Sequence, residues 1–221
     1  MCGRYTFTQL PQAEPVADAG VSPDWLRPRY NVAPTNYCPV FPMDNPRQVH
    51  LYRWGLVPHW AKDEKIGYRM INARAESVHE KPAFREALAH GRCVVWADGF
   101  YEWKKVGKDK QPYRIILQGG TPFVMAGISA RWRSPEGQIL HSFAILTTTP
   151  NELMAPIHDR MPVILDGAAA RRWLAADLRA EALPDLLRPY PAEAMQAYPV
   201  SPAVGQVRND SPALIEPWAE S

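Results

Sequence analysis

The 221-residue sequence predicts an α+β fold, on three observations. Apolar runs of strand length recur through the middle of the chain, at 93–97 (CVVWA), 113–117 (YRIIL), 122–128 (PFVMAGI) and 143–147 (FAILT). Two stretches only carry helical periodicity between credible ends. The chain also holds 23 prolines, about twice the usual share, which favours turns and short elements over long helices. Strands that dominate, with helices between them, make the α+β pattern.

Taken in order, the first helix starts at Pro82, presents Phe84, Ala87 and Leu88 as an apolar stripe, and stops at Gly91. The strand at 93–97 follows. The segment KKVGKDK at 104–110 reads as a solvated hairpin loop. Gly119-Gly120, between the runs at 113–117 and 122–128, reads as a hairpin turn. Asp166 caps the second helix, with Ala170, Trp173, Leu174 and Leu178 on one face. No repeat, low-complexity tract or linker divides the chain, and its length suits one core. Residues 1–221 therefore read as a single domain.

Composition narrows the class. Hydrophobic residues at 46% and charged residues at 22% are ordinary for a globular chain. Three cysteines (Cys2, Cys38, Cys93) do not make a disulfide framework, and Cys93 lies in an apolar strand. No Cys or His pair has zinc-ligand spacing, so no metal and no cofactor is expected. No apolar stretch approaches the roughly 20 residues of a membrane span. The N-terminal CGRYTFTQ has no apolar signal core, so the expectation is a soluble cytoplasmic protein without a membrane partner. No oligomer is predicted. Charge is uneven: residues 1–133 carry 19 Lys and Arg against 12 Asp and Glu, a net of +7. Residues 134–221 carry 6 against 11, a net of −5. The basic part suits a polyanion, but an unevenly charged solvated surface explains it equally well.

Chemistry-bearing residues gather in four short blocks. The first is Cys2-Gly3-Arg4-Tyr5. A small residue at position 2 favours removal of the initiator Met1. Cys2 would then carry a free α-amine and a thiol on adjacent carbons, a 1,2-aminothiol that can close a five-membered ring on an aldehyde. A terminus is also where a cysteine is ordinarily frayed and idle. In the second block, Asn72-Ala73-Arg74-Ala75-Glu76, an extended backbone places Asn72, Arg74 and Glu76 on one side. In the third, Asp98-Gly99-Phe100-Tyr101-Glu102-Trp103, two aromatics flank Glu102, which would desolvate it and raise its pKa into the acid/base range. The fourth, Ile157-His158-Asp159-Arg160-Met161-Pro162, gives His158 charged neighbours. Bland readings stand beside these: Asn72 as a turn cap, Glu102 as a partner for Lys104, His158 as a satisfied loop histidine.

Together, MCGRY at 1–5, RYNVAPT at 29–35, WGLVPHW at 54–60, INARAE at 71–76, ADGFYEWKK at 97–105, IHDRMP at 157–162 and AVGQVRN at 203–209 resemble the SOS-response-associated peptidase (SRAP) family, of the abasic-site-processing type. The blocks follow the family's order across almost the whole chain. The resemblance implies a mixed, largely antiparallel β-sheet folded into a pseudo-barrel with flanking helices. It implies covalent capture of abasic sites in single-stranded DNA, including its junctions with duplex. It also assigns roles: Cys2 as nucleophile, Asn72 orienting the reacting groups, Glu102 as acid/base, and His158 assisting proton transfer. Arg4, Arg74 and Arg160 would hold phosphates, with Thr147 a further contact. Pro34, Trp60 and Trp103 would be a wedge and stacking faces. Ala61 stands where some relatives carry a second tryptophan, which removes one stacking contact.

The implied chemistry agrees with elementary reactivity. An α-amine has a reference pKa of roughly 7.7–8.0, so part of it is neutral and able to attack an aldehyde. A thiol with a reference pKa of ~8.5 can then add to the imine and close a thiazolidine. Nearby arginines are expected to lower both values. Arginine also suits phosphate here because it grips bidentately and forms no imine. Aromatic platforms bind single strands without reading sequence, and no base-reading helix is evident. Two other classes remain open: a peptidase or amidase with Cys2 as an N-terminal nucleophile, removal of Met1 being its own reaction, and a non-covalent reader of damaged or modified DNA.

Overall fold

The computed structural model describes residues 2–12, 15–16 and 22–219. In chain order its strands and helices are β1 (Tyr5–Phe7), β2 (Pro15–Val16), β3 (Arg29–Val32), β4 (Tyr37–Pro42), β5 (Val49–Trp54), β6 (Asn72–Arg74), α1 (Pro82–His90), β7 (Arg92–Ala97), β8 (Gly99–Val106), β9 (Asp109–Leu117), β10 (Phe123–Arg133), β11 (Ile139–Thr148), β12 (Met161–Pro162), β13 (Ile164–Leu165), α2 (Gly167–Leu174), α3 (Leu183–Leu186) and β14 (Met195–Pro199). Both expected helices form as their ends dictate. Gly91 N–H closes α1 on the Ala87 carbonyl at 2.8 Å, and Phe84, Ala87 and Leu88 are its buried face. The Asp166 carboxylate accepts from Ala169 N–H at 2.8 Å to cap α2. That helix ends at Leu174, so Leu178 lies beyond it, although it packs against the same apolar cluster.

Two sheets share the core. One is antiparallel, in the order β14-β9-β8-β1-β3. The other runs β11-β10-β7-β4-β5, and β5 then returns to β11 in parallel through Ser142↔Arg53 and Phe143↔Trp54. That pairing closes a five-strand mixed barrel, the expected pseudo-barrel, and closure removes two strand edges that would otherwise expose unpaired backbone. Cys2, Tyr5, Trp54, Val95, Phe100, Ile115, Met125 and Phe143, from strands of both sheets, pack into one cluster. Helices α1 and α2 cover the outside of the barrel through Phe84, Leu88 and Trp173. No helix among the described residues is long and apolar enough to cross a membrane.

Two turn expectations need correction. Gly119 and Gly120 both have positive φ, but they join β9 in one sheet to β10 in the other and make no hairpin. The run at 113–117 pairs instead with β8 and β14, since its apolar residues face the cluster beneath those strands. The hairpin at 104–110 is real, yet its loop is only Gly107-Lys108. The flanking lysines are strand residues, paired up to Val106↔Asp109.

One close backbone approach sets up the site. Gly55 has φ +115°, and a side chain there would meet the Gly67 carbonyl oxygen at 2.6 Å. Only glycine fits both demands. The segment 64–70 therefore lies directly on the end of β5, where Met70 O accepts from Leu56 N–H at 3.0 Å and Ile71 O accepts from the Trp54 indole at 2.9 Å. Asn72 follows at once, entering β6 beside β11.

Candidate active site

A three-residue strand has little pairing of its own, so β1 needs other anchors. Asp98, buried between β7 and β8, supplies one. Its carboxylate accepts from Thr6 Oγ1 (2.5 Å), Thr8 N–H (2.5 Å), Thr8 Oγ1 (2.6 Å), Gln9 N–H (2.8 Å) and the Arg114 guanidinium (3.2 Å). A buried carboxylate is tolerated when this many donors satisfy it. Arg4 supplies the second anchor. Its guanidinium donates to Asn31 Oδ1 (2.9 Å), Val204 O (2.7 Å) and Gly205 O (3.2 Å). The buried Asn31 amide also donates to the carbonyls of Val204, Gln206 and Asn209. The blocks at 1–5, 29–35 and 203–209, distant in sequence, thus form one clamp. The terminus it holds is not frayed: Cys2 is buried at 0% exposure.

Register brings the catalytic candidates together. Tyr5 lies opposite Phe100, and Tyr101 N–H donates to Arg4 O at 2.9 Å. Residues before Arg4 therefore run alongside Glu102. The Asn72 side-chain amide donates to Cys2 O at 2.8 Å, while its Oδ1 is buried with no partner among the described residues. His158, on the turn after β11, places Nε2 3.7 Å from Glu102 Oε2. Arg160 N–H donates to His158 Nδ1 at 3.0 Å, so in the neutral ring the proton sits on Nε2, facing Glu102. When the ring is charged, Nδ1–H instead faces Asp159 Oδ1, 3.0 Å away.

The electrostatics follow from enclosure. Burial raises the Glu102 carboxyl from its ordinary 4.5 to about 7, with Asp159 adding in the same direction. The cause differs from the one expected. Tyr101 and Trp103 point to the opposite face of β8, where they pack with Val200, Val204 and Leu214. Glu102 shares the face of Phe100, and the barrel core desolvates it. Burial lowers the His158 pKa, with Lys110 contributing. The expectation that arginines depress the Cys2 thiol is overturned. Burial is the largest cause and the Glu102 charge the next, and together they raise it well above the ordinary range. Arg4 is committed to its clamp and cannot compensate.

The remaining candidates divide. Arg74 is exposed at the end of β6, pairing in register with Thr147. Glu76 does not continue that strand. The chain turns into a 3-10 turn at Ala75–Ser77, and the Glu76 carboxylate meets Arg160 in two parallel bonds of 2.8 Å. Arg160 also donates to Thr147 O at 2.5 Å, and Thr147 is fully buried. The donors of Arg4 and Arg160 that the structure pairs are taken up by acceptors of the protein itself. Pro34 leads a tight turn in which Asn36 N–H donates to Ala33 O at 3.1 Å and Thr35 is held at φ +76°, an uncommon conformation for a β-branched residue. Thr35 N–H on Trp54 O (2.8 Å) and Asn36 Oδ1 accepting from Ala33 N–H (3.1 Å) hold it there. Trp60 is half-exposed beside α1, and Trp103 is partly buried against the Tyr101 cluster.

Asp98 and Asn31 are the residues that sequence reasoning missed. Both sit inside the recognised blocks. The available signal was a polar side chain beginning or interrupting an apolar strand.

A family model described as SOS response associated peptidase (SRAP) matches residues 1–207. Abasic site processing protein YoqW of Bacillus subtilis is 45% identical over 223 residues, covering 98% of this chain and 99% of that protein. Abasic site processing protein HMCES of Gallus gallus is 36% identical, covering 88% of this chain and 69% of that protein. A crystal structure of a Bacteroides thetaiotaomicron protein superposes with a TM-score of 0.86 at 28% identity, covering 99% and 100% of the two chains. A phage-related protein of Bordetella bronchiseptica gives 0.68 at 31% identity, covering 90% and 94%.

Proposed function

Since the chain belongs to the SRAP family, whose model spans most of it, we propose that it processes abasic sites in DNA by bonding covalently to them through Cys2. The observation that carries this reading is Cys2 itself. It is a wholly enclosed residue beside a buried carboxyl, its carbonyl fixed by Asn72.

Removal of Met1, by an aminopeptidase or by the protein, frees the Cys2 amine. The open-chain deoxyribose of an abasic site presents an aldehyde. Amine nitrogen attacks its carbon, and loss of one water leaves an imine. Cys2 sulfur then adds to the imine carbon while its proton passes to nitrogen, closing a thiazolidine. Glu102, titrating near 7, donates a proton during opening of the sugar ring and accepts one from the thiol. His158 relays protons at Glu102. Asn72 Oδ1, buried without a partner among the described residues, is available to accept from the Cys2 amine. Arg74 contacts phosphate, and Pro34, Trp60 and Trp103 face the strand and its junction with duplex. Arg4, Thr147 and Arg160 act at one remove, holding the terminus and the His158 turn.

Burial raises the Cys2 thiol, and an amine-first route suits such a residue because it needs no resting thiolate. The test is intact mass spectrometry of Met1-processed protein after incubation with an abasic single-stranded oligonucleotide. The expected product weighs protein plus DNA less one water and does not form with intact DNA. Cys2→Ala should give none, and Cys2→Ser only a labile imine. No adduct from the processed wild type overturns the reading. Full DNA binding and effect without Cys2 would favour a non-covalent reader.

A further inference from the structure

The β8–β9 hairpin continues the Glu102 strand outward. Glu102 pairs with Tyr113, Trp103 with Pro112, Lys104 with Gln111, and Lys105 with Lys110. At roughly 3.3 Å per residue, the Lys105–Lys110 rung lies about 10 Å beyond the Glu102 rung. Lys108 sits in the two-residue turn at the tip, beside Gly107 with φ +59°. Lys105, Lys108 and Lys110 are exposed, and among the described residues no carboxylate lies within ion-pairing distance of them. Lys104 is different: it lies half-buried over the Tyr113 ring at 6.0 Å.

Like charges directly opposite one another on a strand pair destabilise it. Lys105 and Lys110 are such a pair, and Asp109 is the one acidic residue between Lys104 and Lys110. An anion lying across the rung relieves that repulsion. The rung belongs to the same strand pair that carries Glu102, so it continues directly outward from the reacting centre. We propose that this hairpin is a basic finger along which the phosphate backbone of single-stranded DNA lies as it leaves the Cys2–Glu102 centre. Lys105, Lys108 and Lys110 are the contacts. This deepens the proposed function and rests on DNA occupying that centre.

Equilibrium binding of an abasic single-stranded oligonucleotide, measured across salt concentrations in a Cys2→Ala background, tests it. Adding Lys105→Gln, Lys108→Gln and Lys110→Gln should lower the slope of log K against log[salt] by about 2, at ~0.7 per phosphate contact. That corresponds to up to about a hundredfold weaker binding at 0.1 M salt, converging near 1 M. A control with Arg133→Gln, Arg171→Gln and Arg179→Gln removes the same charge from exposed positions elsewhere and should leave the slope unchanged. An unchanged slope in the lysine variant, or an equal fall in the control, overturns the finger. Adduct formation by the Cys2 protein is scored separately. A wild type that forms no adduct but whose Cys2→Ala form shows the slope change would refute the covalent reading and leave the finger standing.

Discussion

At the scale of the residue, Glu102 shows how a correct expectation can rest on the wrong neighbours. The flanking aromatics suggested a desolvated carboxyl, but strand alternation turns them away, and the barrel core does the desolvating. Its pH behaviour follows. With Glu102 near 7, the crosslinking rate should inflect near pH 7, and Glu102→Gln should lose that inflection and slow the reaction at least tenfold with little loss of binding. If binding falls as much as rate, Glu102 is structural. The linkage sign is equally definite. The folded state holds the proton more tightly than the unfolded state, so stability falls as pH rises from 4.5 to about 7 and then levels. Glu102→Gln removes that penalty. Its Tm relative to wild type should therefore be higher at pH 8 than at pH 4.5.

At the scale of the element, short strands are positioned by side chains more than by their own pairing. Asp98→Asn keeps the shape of the Asp98 carboxylate but turns one accepting oxygen into a donor facing donors. It should cost about 2–4 kcal/mol in denaturant unfolding and slow crosslinking by misplacing Cys2. A rate at wild-type level in the folded variant would show that Asp98 does not position Cys2. The two arginines near β6 separate by their partners. Arg74→Ala should lower the salt slope of DNA binding by about 0.7. Arg160→Ala should leave that slope within about 0.3 but cost roughly 1–3 kcal/mol, because it strands Glu76, a half-exposed partner that water screens in part. A slope change for Arg160→Ala as large as for Arg74→Ala would return Arg160 to the phosphate contacts.

At the scale of the molecule, the barrel encloses its own first residues. An uncleaved extension before Cys2 leaves the Asp98 and Arg4 anchors intact but ties the amine in a peptide bond. Such a protein should keep its Tm within a few degrees and form no adduct by mass spectrometry; crosslinking by it would remove the α-amine from the chemistry. By itself, the sequence determined the strand runs of the middle of the chain, the first helix and the cap of the second, and the family, because glycine, proline and caps act locally and seven ordered blocks span the chain. It also named Cys2, Asn72, Glu102 and His158, which the fold brings together from four distant segments. Only the tertiary structure decided which strands pair across the Gly119-Gly120 crossover, which arginines spend their donors internally, and that the Cys2 thiol is raised instead of lowered. Those are outcomes of burial and of partners far apart in the chain. Local sequence carries no record of either, since desolvation depends on what the whole barrel closes around.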